Sequence, residues 1–492
     1  MQKLILMAFL VVCGLKIEAQ QTSSLKTDST QKGISNPSTL KDTLLVNGAD
    51  NSFDLNKCLK YAYKHSRNMA NSSLDIEMAK AKVRETTGIG LPQITASGQF
   101  LFIPQIPTTF LFDFISPVVY SALNTNSVLN SSTNKIITVP GSFGAPVSAK
   151  FGLTHTSYAS ADLSQILFDG TYLVGLQAAH TFRELSTKTL IQTKIQTTVL
   201  VSKAYYNVLV AKEQINVLDA GIARIQKNYN DTKALQKNGL VEKIDLSRIE
   251  LQLNTQVFQK INAIRVFNYG IDALKYQMGM NLEEPIKIPG EVKNMNLPEI
   301  IDTISLDPKQ RIEYSLQSTQ VHLYQLDVKR NRFTNLPTLT GIAEYRLAFQ
   351  NNSFSNLFKT QYPQSFIGVN LNVPIFSGFQ RSARTQQAKL TLQKSENDLL
   401  DLSRSLELEI KTSRGNYQNS LDDLQTQEKN KLLAKEIYRV AKIKYEQGIG
   451  SSLEESTAEA DLKTAETGYL SALFNALVSK VDLDKATGVL VP

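Results

Sequence analysis

The chain has 492 residues but no tryptophan, two cysteines and four histidines. Each scarcity removes a class of protein. Cys13 lies inside Met1 to Gln20, which has the pattern of a secretory signal. Lys3 supplies its positive start, Leu4 to Val12 its apolar run and Ile17-Glu18-Ala19 a cleavage site. Val12 is larger than the small residue a lipoprotein signal needs before its cysteine, so the reading is cleavage rather than lipidation of Cys13. Cys58 then remains by itself, and one cysteine cannot close an intrachain disulfide. His65, His155, His180 and His322 are scattered without metal-ligand spacing. Walker A loops, nucleophile elbows and zinc-protease pairs are absent. The expectation is no enzyme, no catalytic residue, no metal and no cofactor.

Long apolar runs are also missing. After residue 20 no stretch reaches the roughly 18 consecutive apolar residues of a membrane helix. That excludes a helical span but not a β-barrel, whose strands alternate and escape hydropathy scans. Charge of one sign is not concentrated either. Lys+Arg number 53 against 45 Asp+Glu, and the cations are spread along helical segments, which argues against nucleic-acid binding. Residues 21–50 are rich in Ser, Thr, Asn and Lys and read as a flexible N-terminal lead-in.

The chain does contain an internal echo. Leu163-Ser164-Gln165-Ile166-Leu167-Phe168-Asp169-Gly170 reads like Leu371-Asn372-Val373-Pro374-Ile375-Phe376-Ser377-Gly378, 208 positions later. A long helical run follows each copy and breaks at a glycine, Gly239 in the first and Gly448 in the second, 209 positions apart. Landmarks at nearly constant offset with little identity between them mark a duplicated architecture. The boundaries read as 51–280 for the first structural repeat, 281–311 for an equatorial linker and 312–492 for the second repeat. From Gly170 to Gly239 is 69 residues and from Gly378 to Gly448 is 70. Each run, if wholly helical, is a rod of about 100 Å.

Before each rod lie two segments of period two. Gln93 to Phe100, extended by Phe102, alternates polar and apolar, and so does Tyr158 to Phe168. In the second repeat Leu339, Gly341, Ala343, Tyr345 and Leu347 share one face. Ile367, Val369, Leu371, Val373 and Ile375 do the same. Pro374 has no amide donor and belongs at a strand end or an exposed edge. Strands of about 9–11 residues with one oily face suit a bilayer crossing. The Tyr and Phe residues among them suit an interfacial belt made without tryptophan. No other convincing strand is legible, and four cannot close a barrel, which needs about eight. Closure in lipid therefore calls for several chains. Two chains give eight strands and three give twelve. The segment Pro104 to Lys150 reads as a loop.

The first rod carries a 3-4 seam: Val201, Ala204, Val208, Ala211, Ile215, Leu218, Ile222, Ile225 and Tyr229. A helix from Leu55 to about Thr87 and another from Asp245 to about Met280 together match its length. The expectation is two short helices stacked end to end beside one long one, with the linker packed at the level where they meet. Polar residues gather at the breaks. Asp245 follows Gly239, as an N-cap of the returning helix. Tyr445 precedes Gly448. Glu454 and Glu455 follow it and favour the positive end of their helix. At the narrow end of a symmetric tube, such carboxylates become a ring that attracts cations.

The order of helix, strand, loop, strand, long helix, glycine break and returning helix, twice over residues 51–490, resembles the TolC-like outer-membrane efflux channels. Phe168-Asp169-Gly170 and Phe376-Ser377-Gly378 at the strand-to-helix turns, with Gly239 and Gly448 at the tips, carry the resemblance. It implies an α+β membrane protein of the Gram-negative outer membrane, a homotrimer with a twelve-stranded barrel in lipid and a coiled-coil periplasmic tunnel. It implies a passive duct docking a periplasmic adaptor and an inner-membrane pump. Asp245 falls where the family carries a gate-clamping aspartate, Tyr445 on one of its partners and Glu454 at an acidic constriction. Gly450 replaces an arginine of that clamp and Thr457 a second ring aspartate, with Glu455 as the compensating charge. Two rivals remain at this stage: an outer-membrane channel for type I protein secretion, and a trimeric structural or adhesive protein with a coiled-coil stalk. A stalk would need an unbroken outward seam, which the breaks at Gly239 and Gly448 oppose.

Overall fold

A computed structural model describes residues 52–111, 115–141, 147–290, 297–298 and 307–490. The signal, the lead-in and most of the stretch 291–306 lie outside the described residues. The chain opens with helices α1 (Leu55–His65) and α2 (Arg67–Ile89), then strand β1 (Gln93–Phe102). Strand β2 (Thr108–Leu111), helix α3 (Ile115–Thr125) and strand β3 (Val147–Lys150) follow, then β4 (His155–Phe168). Next come the 68-residue α4 (Gly170–Lys237) and α5 (Lys243–Met278). After the linker lie α6 (Ile312–Phe333), β5 (Thr338–Asn351), β6 (Tyr362–Asn372), the 67-residue α7 (Gln380–Glu446) and α8 (Ser452–Ala486). No helix among the described residues is long and apolar enough to cross a membrane.

The four long strands form one antiparallel sheet in the order β1-β4-β5-β6, so β1 and β6 are its edges. Register decides its faces. Ile94 opposes Leu163, Leu163 opposes Ala343, and Ala343 opposes Ile367. Since side chains alternate along a strand, that row, with Gly341 and Val369 and with Leu339 and Leu371, forms one apolar face. Thr95, Asp162, Glu344 and Phe366 form a row on the other, where Ser97, Ser160, Arg346 and Gln364 continue a mostly polar surface. The apolar face is open: Ile94 is 77 % exposed and Ile367 91 %. The fourth strand ends at Asn372, so Val373 and Ile375 do not continue it and Pro374 lies just past its end, where no ladder bond is lost. The segment read as a plain loop is partly ordered, because Thr108 to Leu111 pairs with Val147 to Lys150 as a separate two-stranded ribbon. Its strands are too short and too polar in context to show a period.

The rods form antiparallel hairpins, α4 with α5 and α7 with α8, so the chain folds back where a stalk would run outward. Every seam position from Val201 to Tyr229 is buried or half-buried. α2 and α5 both pack along α4, and α6 and α8 both pack along α7. The expected single helix from Leu55 breaks at Ser66, whose extended backbone (ψ 131°) separates α1 from α2. α5 ends there in Gly279 at φ +74°, and a Cβ on Gly279 would come within 2.5 Å of the His65 carbonyl oxygen. Only glycine allows that approach in the left-handed conformation.

A core forms at this level from Cys58 and Ala62 of α1, Val201, Tyr205 and Val208 of α4, Leu274 and Met278 of α5, and Leu473 and Leu477 of α8. Burial pushes the Cys58 thiol up to about 12, so it stays protonated and inert. The described linker residues wrap this core. Tyr205 donates to the Pro289 carbonyl at 3.2 Å, Lys275 to Leu282 at 2.7 Å and Tyr417 to Pro298 at 2.8 Å. In the second half, Arg311 holds the equivalent junction. Its guanidinium bonds Glu313 at 2.8 Å, Glu409 of α7 at 3.0 Å and the Ala486 carbonyl at the end of α8 at 3.0 Å.

Candidate functional site

The two strand-to-helix turns are built differently despite their similar sequences. Asp169 caps α4, accepting from the amides of Thr171 at 2.7 Å and Tyr172 at 3.3 Å. Gly170 has ordinary dihedrals and is required by packing, since a Cβ there would lie 3.0 Å from Leu336 and Phe333. Gly378 is required by conformation, at φ +59° with open space around it. The tips, by contrast, match. Gly239 and Gly448 sit at φ +73° and +72°. Each closes a Schellman motif: Leu240 N–H donates to Leu235 and Ile449 N–H to Lys444, both at 3.0 Å.

Asp245 is not the N-cap of α5. That position belongs to Glu242, and Asp245 lies in the first turn, 3.7 Å from Arg248. The Tyr445 hydroxyl lies 3.2 Å from Thr232 Oγ1 of α4. Glu454 and Glu455 both sit in the first turn of α8, where Ser451 caps the Glu454 amide at 3.1 Å. They are not equivalent. Glu454 is on the surface, paired with Lys444 at 3.2 Å. Glu455 is only 3 % exposed, turned between α4 and α7, with Asn228 Nδ2 donating to it at 3.0 Å. Of the two glutamates expected to form an acidic ring, only Glu454 presents its carboxylate to solvent, and the expectation for Glu455 is corrected to a buried contact. Adjacent helical residues point about 100° apart, and that step turns Glu454 towards Lys444 at the surface and Glu455 towards Asn228 of α4.

Glu455 belongs to a polar cluster that the sequence reading missed. Arg224 Nε donates to Glu459 at 3.0 Å and its Nη2 to Glu466 at 3.4 Å. The same guanidinium stands 5.8 Å from the Tyr438 ring centroid. Thr232 donates to Asn228 Oδ1 at 3.1 Å. Burial pushes the Glu455 carboxyl up to about 7, against the pull of Lys442 and the Asn228 bond, with Glu446 and Glu459 adding repulsion. Burial also raises Glu459, while Arg224 resists. A signal was present in the spacing: Arg224, Asn228 and Thr232 recur every four residues on α4, and Glu455, Glu459 and Glu466 follow helical spacing on α8. Nothing in one helix says that the two stripes face each other. Among the described residues no group of three His, Cys, Asp or Glu could hold a metal.

Known proteins share this plan. The family model for outer membrane efflux proteins matches residues 316–489. The outer membrane protein TolC of Vibrio cholerae is 22 % identical over 340 residues, 68 % of this chain and 76 % of that protein. The alkaline protease secretion protein AprF of Pseudomonas aeruginosa is 23 % identical over 350 residues, 68 % of this chain and 70 % of that one. The Campylobacter jejuni CmeC outer membrane channel superposes with a TM-score of 0.67 at 19 % identity, covering 94 % of this chain and 90 % of its own. Model, relatives and fold converge: the second half of the chain matches the outer membrane efflux protein model, and the chain is similar in sequence and fold to TolC-like outer-membrane channels.

Proposed function

We propose that this protein is the exit duct of a tripartite efflux system, a homotrimer that docks a periplasmic adaptor and an inner-membrane pump. The observation that carries the reading is the four-stranded sheet, apolar on one face and polar on the other, with two open edges and hung on hairpins whose long arms measure about 100 Å. Open edges are not tolerated in lipid. Pairing β1 of one copy with β6 of the next closes the barrel, and three copies give twelve strands. The polar faces then line a lumen that continues into a helical tunnel across the periplasm. Residues 51–280 and 312–492 serve as the two repeats and 281–311 as the belt. The duct carries out no chemistry; its partner pump supplies the energy. Purified trimer should conduct ions across a planar bilayer, and a protein that never conducts would overturn the reading.

On this reading the stretch 104–150 faces the outside, since the longer loops of such barrels do. A protease added to intact cells is expected to cut it, and shortening it should spare trimer formation. Cutting only after lysis would place it on the periplasmic side. At the other end, three copies of Glu454 form the acidic ring of the mouth, and Asp245 serves the closing latch between neighbouring copies, with Tyr445 beside it. Glu454→Ala should weaken cation preference and block by divalent ions without loss of trimer. Asp245→Ala should instead raise leak conductance. Unchanged selectivity in Glu454→Ala would return that residue to a plain helix-end role.

A second reading, protein export, is favoured by the similarity to the alkaline protease secretion protein. Deleting the gene separates the two: loss of dye extrusion supports efflux, whereas loss of a secreted protein from the medium supports export.

A further inference from the structure

The hairpins α4–α5 and α7–α8 touch near the tips through a cluster of side chains rather than an apolar seam. Arg224 of α4 satisfies two carboxylates of α8, Glu459 and Glu466. Glu455, one turn nearer the tip than Glu459, has a neutral amide, Asn228, as its hydrogen-bond donor. It borders a cavity of about 350 Å³ between the hairpins. A buried carboxylate without a directly bonded cation is costly when charged and cheap when protonated.

We propose that Glu455 and Glu459 of α8, with Arg224 and Asn228 of α4, form a proton-operated link that holds the two hairpins together in acid and loosens as the pH rises. It rests on the duct reading above, because what it controls is the mouth of the duct. Gly450 cannot offer a cation at the tip, and Arg224, deeper in the bundle, supplies one.

The surrounding charges set the direction. From α4, Arg224 and Lys227 are positive and Asp231 negative around the cavity. From α7, Lys442 favours the Glu455 charge, Glu446 opposes it, and Tyr438 and Tyr445 are neutral hydroxyls. From its own helix, Glu459 opposes it and Glu454 points to the surface. Burial outweighs the favourable groups, and the carboxyl sits at about 7 instead of its ordinary 4.5. A group raised in the packed state favours packing below its free value and withdraws that support as pH climbs to the packed value. The window is therefore pH 4.5 to about 7. If opening returns Glu455 to water, the open fraction grows by up to about tenfold per pH unit per protomer across that window.

The test is leak conductance of the reconstituted trimer from pH 5 to pH 8. Wild type should rise by at least about tenfold, while Glu455→Gln, which mimics the protonated form, should stay low and flat. Asn228→Ala removes a donor that favours the charge and should move the midpoint to higher pH. This shift is one that a purely structural contact would not produce, and it decides the matter alone if Glu455→Gln fails to assemble. A wild-type pH profile in Glu455→Gln, or an unmoved midpoint in Asn228→Ala, overturns the link and leaves the duct standing. A wild-type trimer that conducts at no pH overturns both.

Discussion

Arginine at Val369 or Leu371 is expected to remove most of the assembled trimer, whereas arginine at Asn370 is expected to be tolerated. Val369 and Leu371 lie in the apolar rows with Gly341 and Leu339, and both are more than half exposed in the single chain. Asn370 pairs with Thr340 on the opposite face. On the duct reading the first face meets lipid and the second meets water. A charge on the lipid face near the bilayer midplane costs roughly 2–4 kcal/mol, and a trimer carries three. The sum is comparable to the whole stability of many domains, about 5–15 kcal/mol. A gel that separates heat-resistant trimer from monomer reads the result directly. Equal loss on both faces would mean that the sheet does not separate lipid from lumen.

Arg311→Ala should be the most damaging single change in the helical part. The side chain is 4 % exposed and ties α6 to α7 and to the last carbonyl of α8. Removing it takes the guanidinium from Glu313, leaves Glu409 with Lys485 at 2.9 Å as its remaining cation, and leaves the Ala486 oxygen without that donor. Breaking one side of a buried ion pair costs about 3–5 kcal/mol. Replacing the pair with apolar groups, as in Arg311→Met with Glu313→Leu, should recover part of the loss. Thermal unfolding in detergent would show both effects. The junction also has a pH signature. Burial pushes the Glu313 carboxyl up, but the Arg311 hydrogen bond and charge outweigh it and hold it below its ordinary range. Its contribution is therefore present above the ordinary carboxylate value and is lost as pH falls through the lowered one. Glu455 behaves in the opposite sense, with support lost as pH rises towards about 7. Acid should thus loosen the junction at Arg311 while tightening the tips, and Arg311→Ala should abolish only the first response.

The period-two segments placed all four sheet strands within a few residues, because in the long sheet one face is apolar over its full length. The same rule missed the ribbon of Thr108 to Leu111 with Val147 to Lys150, where four residues give no period to read. The first long helix was legible from its seam, the second from the repeat offset, and the tips from glycine. Gly239 and Gly448 adopt positive φ, which the chain cannot take cheaply elsewhere. Gly170 shows the limit of such reading. It looks like Gly378 in sequence, yet one is a matter of space and the other of backbone angle.

The sequence by itself determined the long helices, the four strands of the main sheet and where the chain turns back. Those properties follow from local periodicity and turn chemistry. Only the tertiary structure decided where the first helix breaks, at Ser66 beside the end of α5, where Gly279 meets the His65 carbonyl from more than two hundred residues along the chain. Only it separated Glu454 from Glu455, one on the surface and one turned against Asn228. Neighbouring glutamates are chemically identical in a sequence. Their difference arises when α4, α7 and α8 meet, and water is excluded from one carboxylate and not from the other.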